Sequence, residues 1–394
     1  MGEGTPGEVL AAFLKLGLSA FGGPVAHLGY FRAEFVERRR WLDEAAYADL
    51  LALCQFLPGP ASSELGMAIG LRRAGLAGAG CAWLGFTLPS AVAMIVFGYG
   101  VGRFGNLSGA AWLHGLKIVA AAVVAQAVWG MARALAPDRP RITLAIAAAA
   151  MALLLPSTAG QLGAIALGAM VGAAWLRGGV AQSTALHATA HGRAVGAAAL
   201  ALFVLLLIAL PLLAPASHAF AEASSFFRSG ALVFGGGHVL LPLLQASVVP
   251  PGWVSNDAFL AGYGAAQAVP GPLFTFAAYL GTVMGPAPNG WVGGLICLVA
   301  VFLPGFLLII GVMPFWSALA GNQPVRDALR GINAAVVGLV LAALYAPVWT
   351  SAILGPRDFL LGLAAFLLLV FWRTPPWLVV LLGAAGAEML ARLG

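Results

Sequence analysis

The sequence predicts an all-α polytopic membrane protein built from two homologous halves, and three observations carry that prediction. Of 394 residues, 61% are hydrophobic and only 9% charged, with a mean hydropathy of +0.95, far outside the balance of a water-soluble domain. Apolar runs such as Ala194 to Leu213 and Phe359 to Phe371 are continuous, whereas a membrane β-barrel alternates polar and apolar residues in segments of about ten. The opening text also returns once along the chain. At roughly 20 residues per crossing there is room for about ten to fourteen spans.

The repeat is specific. FLKLGLSAFGG from Phe13 returns as FFRSGALVFGG from Phe226, pairing Lys15 with Arg228, Gly17 with Gly230, and Phe21-Gly22-Gly23 with Phe234-Gly235-Gly236. Trp41 then pairs with Trp253, and Gln55 with its Pro58-Gly59-Pro60 pairs with Gln267 and Pro270-Gly271-Pro272. Pro89 and Pro304 correspond in Leu-Pro dipeptides, and LHGLKIVAAAVV from Leu113 echoes LRGINAAVVGLV from Leu329. The expected domains are 8–195 and 222–391, joined by a connecting helix end and linker over 196–221.

Taken in order, the first half reads as a short amphipathic or half-spanning helix near 7–22, a polar connection to 44 and an apolar segment over 45–72 interrupted at Pro58-Gly59-Pro60. Spans follow near 76–101, 109–131, 141–157 and 159–176. A helix over 194–214 connects the halves. The second half repeats the opening near 224–241, the interrupted segment over 256–284, and spans near 290–313, 327–349, 359–371 and 375–391. Arg32, Arg38, Arg39 and Arg40 share one connection and Arg72-Arg73 follows the first interruption, which puts them on the cytoplasmic side. The matching connection from Gln245 to Asn256 has no basic residue. That contrast fits inverted halves, whose matching loops face opposite sides.

The interruptions are where chemistry is expected. Two prolines remove backbone donors and Gly59 relaxes the chain, so a helix ends near Leu57 and restarts near Ala61. A broken helix is tolerable in a membrane only against protein or a watered cavity. At such a restart the amides of Ala61, Ser62 and Ser63, with two hydroxyls, can face an anion; Leu273, Phe274 and Thr275 are the second set. Gln55 and Gln267, three residues before each interruption, donate hydrogen bonds without charge, either to a ligand or between helices. Phe21-Gly22-Gly23-Pro24 and Phe234-Gly235-Gly236-Gly237 end short helices or allow close packing; neither has the context of a phosphate loop.

Ionisable residues in apolar text are costly and therefore candidates. Lys15 and Arg228 offer one cation per half, for anion attraction, snorkelling or ion pairing. Glu64, one turn past the first interruption, is the candidate proton-responsive or counter-charge group, with a salt bridge to Arg72, Lys15 or Lys117 as the structural alternative. His27, His238 and Lys117 are further coupling candidates. Cys54, Cys81 and Cys297 have no disulfide or metal spacing, and no metal, cofactor or catalytic constellation is expected. The net charge of +6 is spread without a long basic run, which excludes nucleic acid as a partner, and Glu3 and Glu8 argue against a cleaved signal peptide.

FGGPVAHLGYFRAEFV from Phe21, QFLPGPASS from Gln55, FGGGHVLLPLL from Phe234 and QAVPGPLFTF from Gln267 closely resemble the chromate ion transporter family in its long, two-domain form. The resemblance covers nearly the whole chain. It implies a multi-pass protein of the bacterial inner membrane that exports chromate and so confers chromate resistance, not an enzyme, with sulfate as competitor, protons as the coupling ion and a homodimer as the candidate assembly. Its characteristic residues transfer to the Phe-Gly-Gly and Gln/Pro-Gly-Pro positions quoted above. Glutamine is common in the family where this chain has Glu64. Chromate and sulfate share charge and shape, so a sulfate or other oxyanion importer and an anion channel stay open as alternatives.

Overall fold

The computed structural model describes residues 4–103, 111–176, 192–320 and 322–392, and every regular element among them is helical. In the first half, α1 (Pro6–Ser19) starts at a Thr5 cap whose side chain accepts from the Glu8 amide. α2 (Gly23–Arg32) continues as a π-helix through Arg38. α3 (Glu44–Phe56) is capped by Asp43, and α4 (Ala61–Arg103) follows the Pro-Gly-Pro stretch. α5 (Ala111–Leu135), α6 (Arg139–Leu154) and α7 (Thr158–Trp175) complete the half.

α8 (Arg193–Leu213) connects the halves. The order then repeats: α9 (His218–Ala231), α10 (Leu240–Val248), α11 (Asn256–Ala266), α12 (Phe276–Val283) and α13 (Gly290–Val312). After the short α14 (Trp316–Ala320) come α15 (Gln323–Ala343), a single turn α16 (Thr350–Ala352), α17 (Pro356–Val370) and α18 (Pro376–Arg392).

α4 looks continuous, but Ala74 and Gly75 leave helical geometry, and Gly70 and Gly78 pack backbone to backbone across the bend. It is a hairpin of a short arm and a long arm. The second half builds the same hairpin from α12 and α13, with Gly281 against Gly293. Glycine at these crossings removes the side chains that would hold the backbones apart.

Three expectations change. The polar connection before residue 44 is mostly helical, because Phe31 and Phe35 lie one turn apart and both bury against Phe13. The second opening helix lies earlier than 224–241: α9 ends at Ala231, since Gly235 and Gly236 take positive φ of 74° and 138°. Five helices among the described residues are long and apolar enough to cross a membrane, not ten to fourteen. Proline and glycine breaks divide much of the remaining apolar text into shorter helices, among them Ala159–Trp175, Gly237–Val248 and Leu273–Val283.

The halves exchange elements. α15 packs chiefly on α6 and α7 of the first half, while α5 packs on α17 and α18 of the second. Gly331 meets Gly168 and Gly172 in one crossing, and Gly115 meets Gly383 and Ala384 in the other. Lys117 on α5 adds an ion pair to Asp257 on α11, at 2.9 Å.

Candidate functional site

The two Pro-Gly-Pro stretches are tied to the opposite halves. The Gly59 amide donates to Val233 O at 2.7 Å, and the Gly271 amide donates to Ala20 O at 2.9 Å. Val233 and Ala20 are matched residues, each just before a Phe-Gly-Gly. His27 reinforces one crossing: its Nε2 lies 3.2 Å from Ala20 O and so must donate, which leaves Nδ1 to accept from Ser62 Oγ at 3.4 Å.

Beside these crossings lies a cavity of about 480 Å³. The first half contributes Gly22, Gly23 and Gln55, together with the α5 face carrying Val123, Gln126, Ala127, Gly130 and Met131. The second contributes Gly235, Gly236, Gly237, His238, Gln267, Gly271 and Leu273, and Pro376 closes one side. Both glycine motifs and both glutamines, far apart in sequence, thus meet in one space. Its polar groups are uncharged donors and acceptors; no Lys, Arg, Asp or Glu is among the described lining residues. The amides of Gly235 and Gly236 donate to no other backbone group among the described residues. His238 Nδ1 is 2.8 Å from Tyr263 Oη. Gln267 interacts with Tyr263, yet its buried Nε2 completes no hydrogen bond.

Other candidates lie elsewhere. Ser62 and Ser63 are buried at the start of α4 and are not part of the lining, nor is Ala61. Glu64 occupies that helix end: its side chain is fully buried against Gly59 and Gly305, and neither carboxylate oxygen has a hydrogen-bond partner. None of the expected salt bridges to Arg72, Lys15 or Lys117 is formed. Phe274 and Thr275 form a 3₁₀ turn with Leu273 in which the Thr275 hydroxyl donates to Pro272 O at 2.9 Å. Lys15 is exposed on α1, and Arg228 is half-buried on α9 with Nε unpaired. Phe21 lies beside Trp377, ring centroids 6.4 Å apart and tilted by 55°, Phe234 packs at the edge of the larger core, and Pro24 stands within α2, its side chain outside the described residues. Pro58, Pro60, Pro270 and Pro272 flank the crossing glycines. Among the described residues, no three His, Cys, Asp or Glu are grouped to hold a metal ion.

Sequence reasoning missed Gln126, whose Nε2 donates to Leu369 O on α17 at 3.4 Å. The signal was present: it is the one strongly polar side chain between Ile118 and Met131.

The Pseudomonas aeruginosa "Chromate transport protein" is 30% identical over 391 residues, covering 96% of this chain and 90% of that protein. A "Probable chromate transport protein" of Synechococcus elongatus is 27% identical, covering 95% and 93%, and a "Chromate transport protein" of Cupriavidus metallidurans is 26% identical, covering 97% and 92%. No solved structure matches at a significant level. The chromate transporter family profile matches twice, over residues 7–173 and 220–387, once in each half. The chain belongs to the chromate transporter family.

Proposed function

We propose that this transporter exports chromate from the cytoplasm across the bacterial inner membrane, and that the cavity between its halves is the substrate site. The observation that carries this reading is the convergence of both repeated glycine motifs with Gln55 and Gln267 on one uncharged, donor-lined space. Neutral donors suit a transported anion: they replace its water shell without the strong pairing that would slow release. The names of the relatives in Pseudomonas aeruginosa and Cupriavidus metallidurans supply the substrate.

In this reading 8–195 and 222–391 are inverted repeats that rock about the site, and the interrupted helices let each half move. The charge distribution supports the inversion. Trp41 in the first half carries Arg39 and Arg73 over its ring, at 5.2 and 5.1 Å, beside Glu8. Its match Trp253 carries His218 instead, ring centroids 4.6 Å apart, and no arginine. The arginine end faces the cytoplasm. Glu64, buried between Gly59 of one half and Gly305 of the other, is the group placed to respond to their movement.

Labelled chromate uptake into inside-out vesicles tests the proposal. Saturable, protein-dependent uptake that falls at least about tenfold when Gln55 and Gln267 are both changed to alanine is expected, from the loss of hydrogen bonds to an anion. Full uptake by a correctly inserted double variant would remove the cavity as the site. Uptake of sulfate in place of chromate would reassign the substrate.

A further inference from the structure

α9 carries a buried polar stripe that the transport site does not use. His218, Glu222, Ser225 and Ser229 recur at intervals of four, three and four residues, which places them on one helix face. The His218 side chain is 18% accessible, and Glu222, Ser225 and Ser229 are buried. The stripe therefore runs from a partly exposed end into the protein, and the chain leaves α9 directly into Val233 and the Gly235-Gly236 wall of the cavity.

The other half shows that the fold does not require these groups. Opposite Glu222, Ser225 and Ser229 the first half has Val9, Ala12 and Leu16, all buried and apolar, and opposite His218 it has Thr5, the polar cap of α1. Glu222 is also poorly satisfied as a structural residue. Its nearest partner is His218 Nε2, 3.1 Å from Oε1, and neither carboxylate oxygen completes a hydrogen bond. A buried carboxylate with so little compensation is destabilising and, within a membrane protein, calls for a role.

The surroundings limit what that role can be. α13 brings one ionisable side chain, Cys297, near Glu222, and Trp253 packs edge-to-face against His218. α10 brings none. α8 carries only Arg193, at the end far from the turn that joins it to α9, and on α9 itself Arg228 lies more than a turn deeper. There are too few oxygen ligands for a metal cation. A carboxylate next to an imidazole, with hydroxyls leading inward, is the donor–acceptor set that binds and passes a proton.

We infer that the α9 face of His218, Glu222, Ser225 and Ser229 is a proton path from the side opposite the arginine cluster toward the cavity, with Glu222 as the site that holds the proton. The inference rests on the transport reading for its consequence, but proton binding at Glu222 stands apart from it. His218 takes up a proton from solvent to become imidazolium and passes its Nε2 proton to the Glu222 carboxylate, 3.1 Å away; it returns to the neutral imidazole, which takes up the next proton from solvent. No bond other than N–H and O–H changes.

Two measurements on the full chain test this. Infrared difference spectra of the reconstituted protein across a pH step are expected to contain a protonated-carboxyl band that is lost in Glu222→Gln and altered in His218→Gln. Proteoliposomes containing a pH dye are expected to show proton movement during chromate transport, and Glu222→Gln to lose that movement while still carrying chromate. A native spectrum without a protonated-carboxyl band, or with one that His218→Gln leaves unaltered, overturns the inference, and neither reading requires Glu222→Gln to insert. Native chromate transport without proton movement, or unchanged proton movement in Glu222→Gln, overturns it as well. A Glu222 band in a protein that carries no chromate would instead remove the transport reading and leave the proton site.

Discussion

The Gly59 amide donates to the carbonyl oxygen of Val233, 2.7 Å away in the other half, and Gly271 returns the bond to Ala20 at 2.9 Å. This reciprocal pair ties each interruption to the glycine motif of its partner half. It also explains why glycine stands between the prolines. Both residues hold positive φ, 145° and 95°, where a side chain is strained. A Cβ at Gly271 would press on Phe86 O at 3.0 Å and Ser90 Oγ at 2.9 Å. At Gly59 it would strike the Glu64 carboxylate, which is the movable end of a side chain.

Gly271→Ala is accordingly expected to destabilise the protein by about 2–4 kcal/mol, from backbone strain plus overpacking against a carbonyl. Gly59→Ala should cost less, because Glu64 can shift. Thermal unfolding in detergent checks the order of the two. Equal stability of Gly271→Ala and the native chain would mean that this crossing does not hold the halves together.

The helices exchanged between the halves depend on a second kind of glycine. Gly331 faces Gly168 O and Gly172 Cα, the latter 2.7 Å from where a Cβ would stand. Gly331→Ala must push α15 from α7 and is expected to cost about 1–3 kcal/mol. Gly80→Ala, on the long arm of α4 with nothing within 4 Å, is the comparison and should shift stability by less than about 1 kcal/mol. The same thermal assay separates them.

Much of this arrangement could be read before the structure. Apolar text interrupted by matched Pro-Gly-Pro placed α3, the restart of α4 and their counterparts close to where they lie, because proline acts locally. The convergence of Gln55 with Gln267 was legible only as a suspicion, since pairing in a repeat says that two residues are equivalent, not that they touch. Lys15 and Arg228 illustrate the difference: they match across the repeat yet neither lines the cavity, because each lies on an opening helix whose cavity-side contribution is the glycine motif beyond it. Gln126 was hidden for the opposite reason. It has no repeat partner of its own kind, and only the swap of α17 and α18 onto α5 brings it to the site. The crossings at Gly331 and Gly115 were equally hidden, since glycine is frequent throughout and only packing distinguishes the few that need it.

At the arginine end, Glu34 is the group whose titration should be visible. Burial alone would raise its carboxyl, but Arg39 Nε at 2.6 Å and Arg38 at 2.8 and 3.0 Å outweigh that and hold it below the usual glutamate range. A carboxyl lowered on folding stabilises the native state above its unfolded value, about 4.3, and that contribution is lost as pH falls through the lower folded value. Glu34→Gln is expected to lower stability by about 1–2 kcal/mol at neutral pH, since the pair is partly solvated. The gap between Glu34→Gln and native melting should narrow as pH falls below the unfolded value of about 4.3; a gap independent of pH would show that packing, not the ion pairs, makes the difference.

Gln126 offers the sharpest separation of site from scaffold. Its Nε2 is held by Leu369 O at 3.4 Å, a long bond that restrains the amide without saturating it, and the side chain lines the cavity. If the cavity binds the anion, Gln126→Ala removes a donor to a charged ligand, worth about 1.5–3 kcal/mol, and the chromate concentration for half-maximal uptake should rise roughly tenfold to a hundredfold. Gln126→Glu should be worse than alanine, because it sets a like charge in a space whose described lining holds no cation. Lys15→Met, at an exposed site outside the cavity, should leave that concentration within about threefold of native, as expected for a solvated surface charge. Uptake curves for the three variants decide the matter: the reverse order, with Lys15→Met crippled and Gln126→Ala unchanged, would move the anion site from the cavity to the outer face of α1.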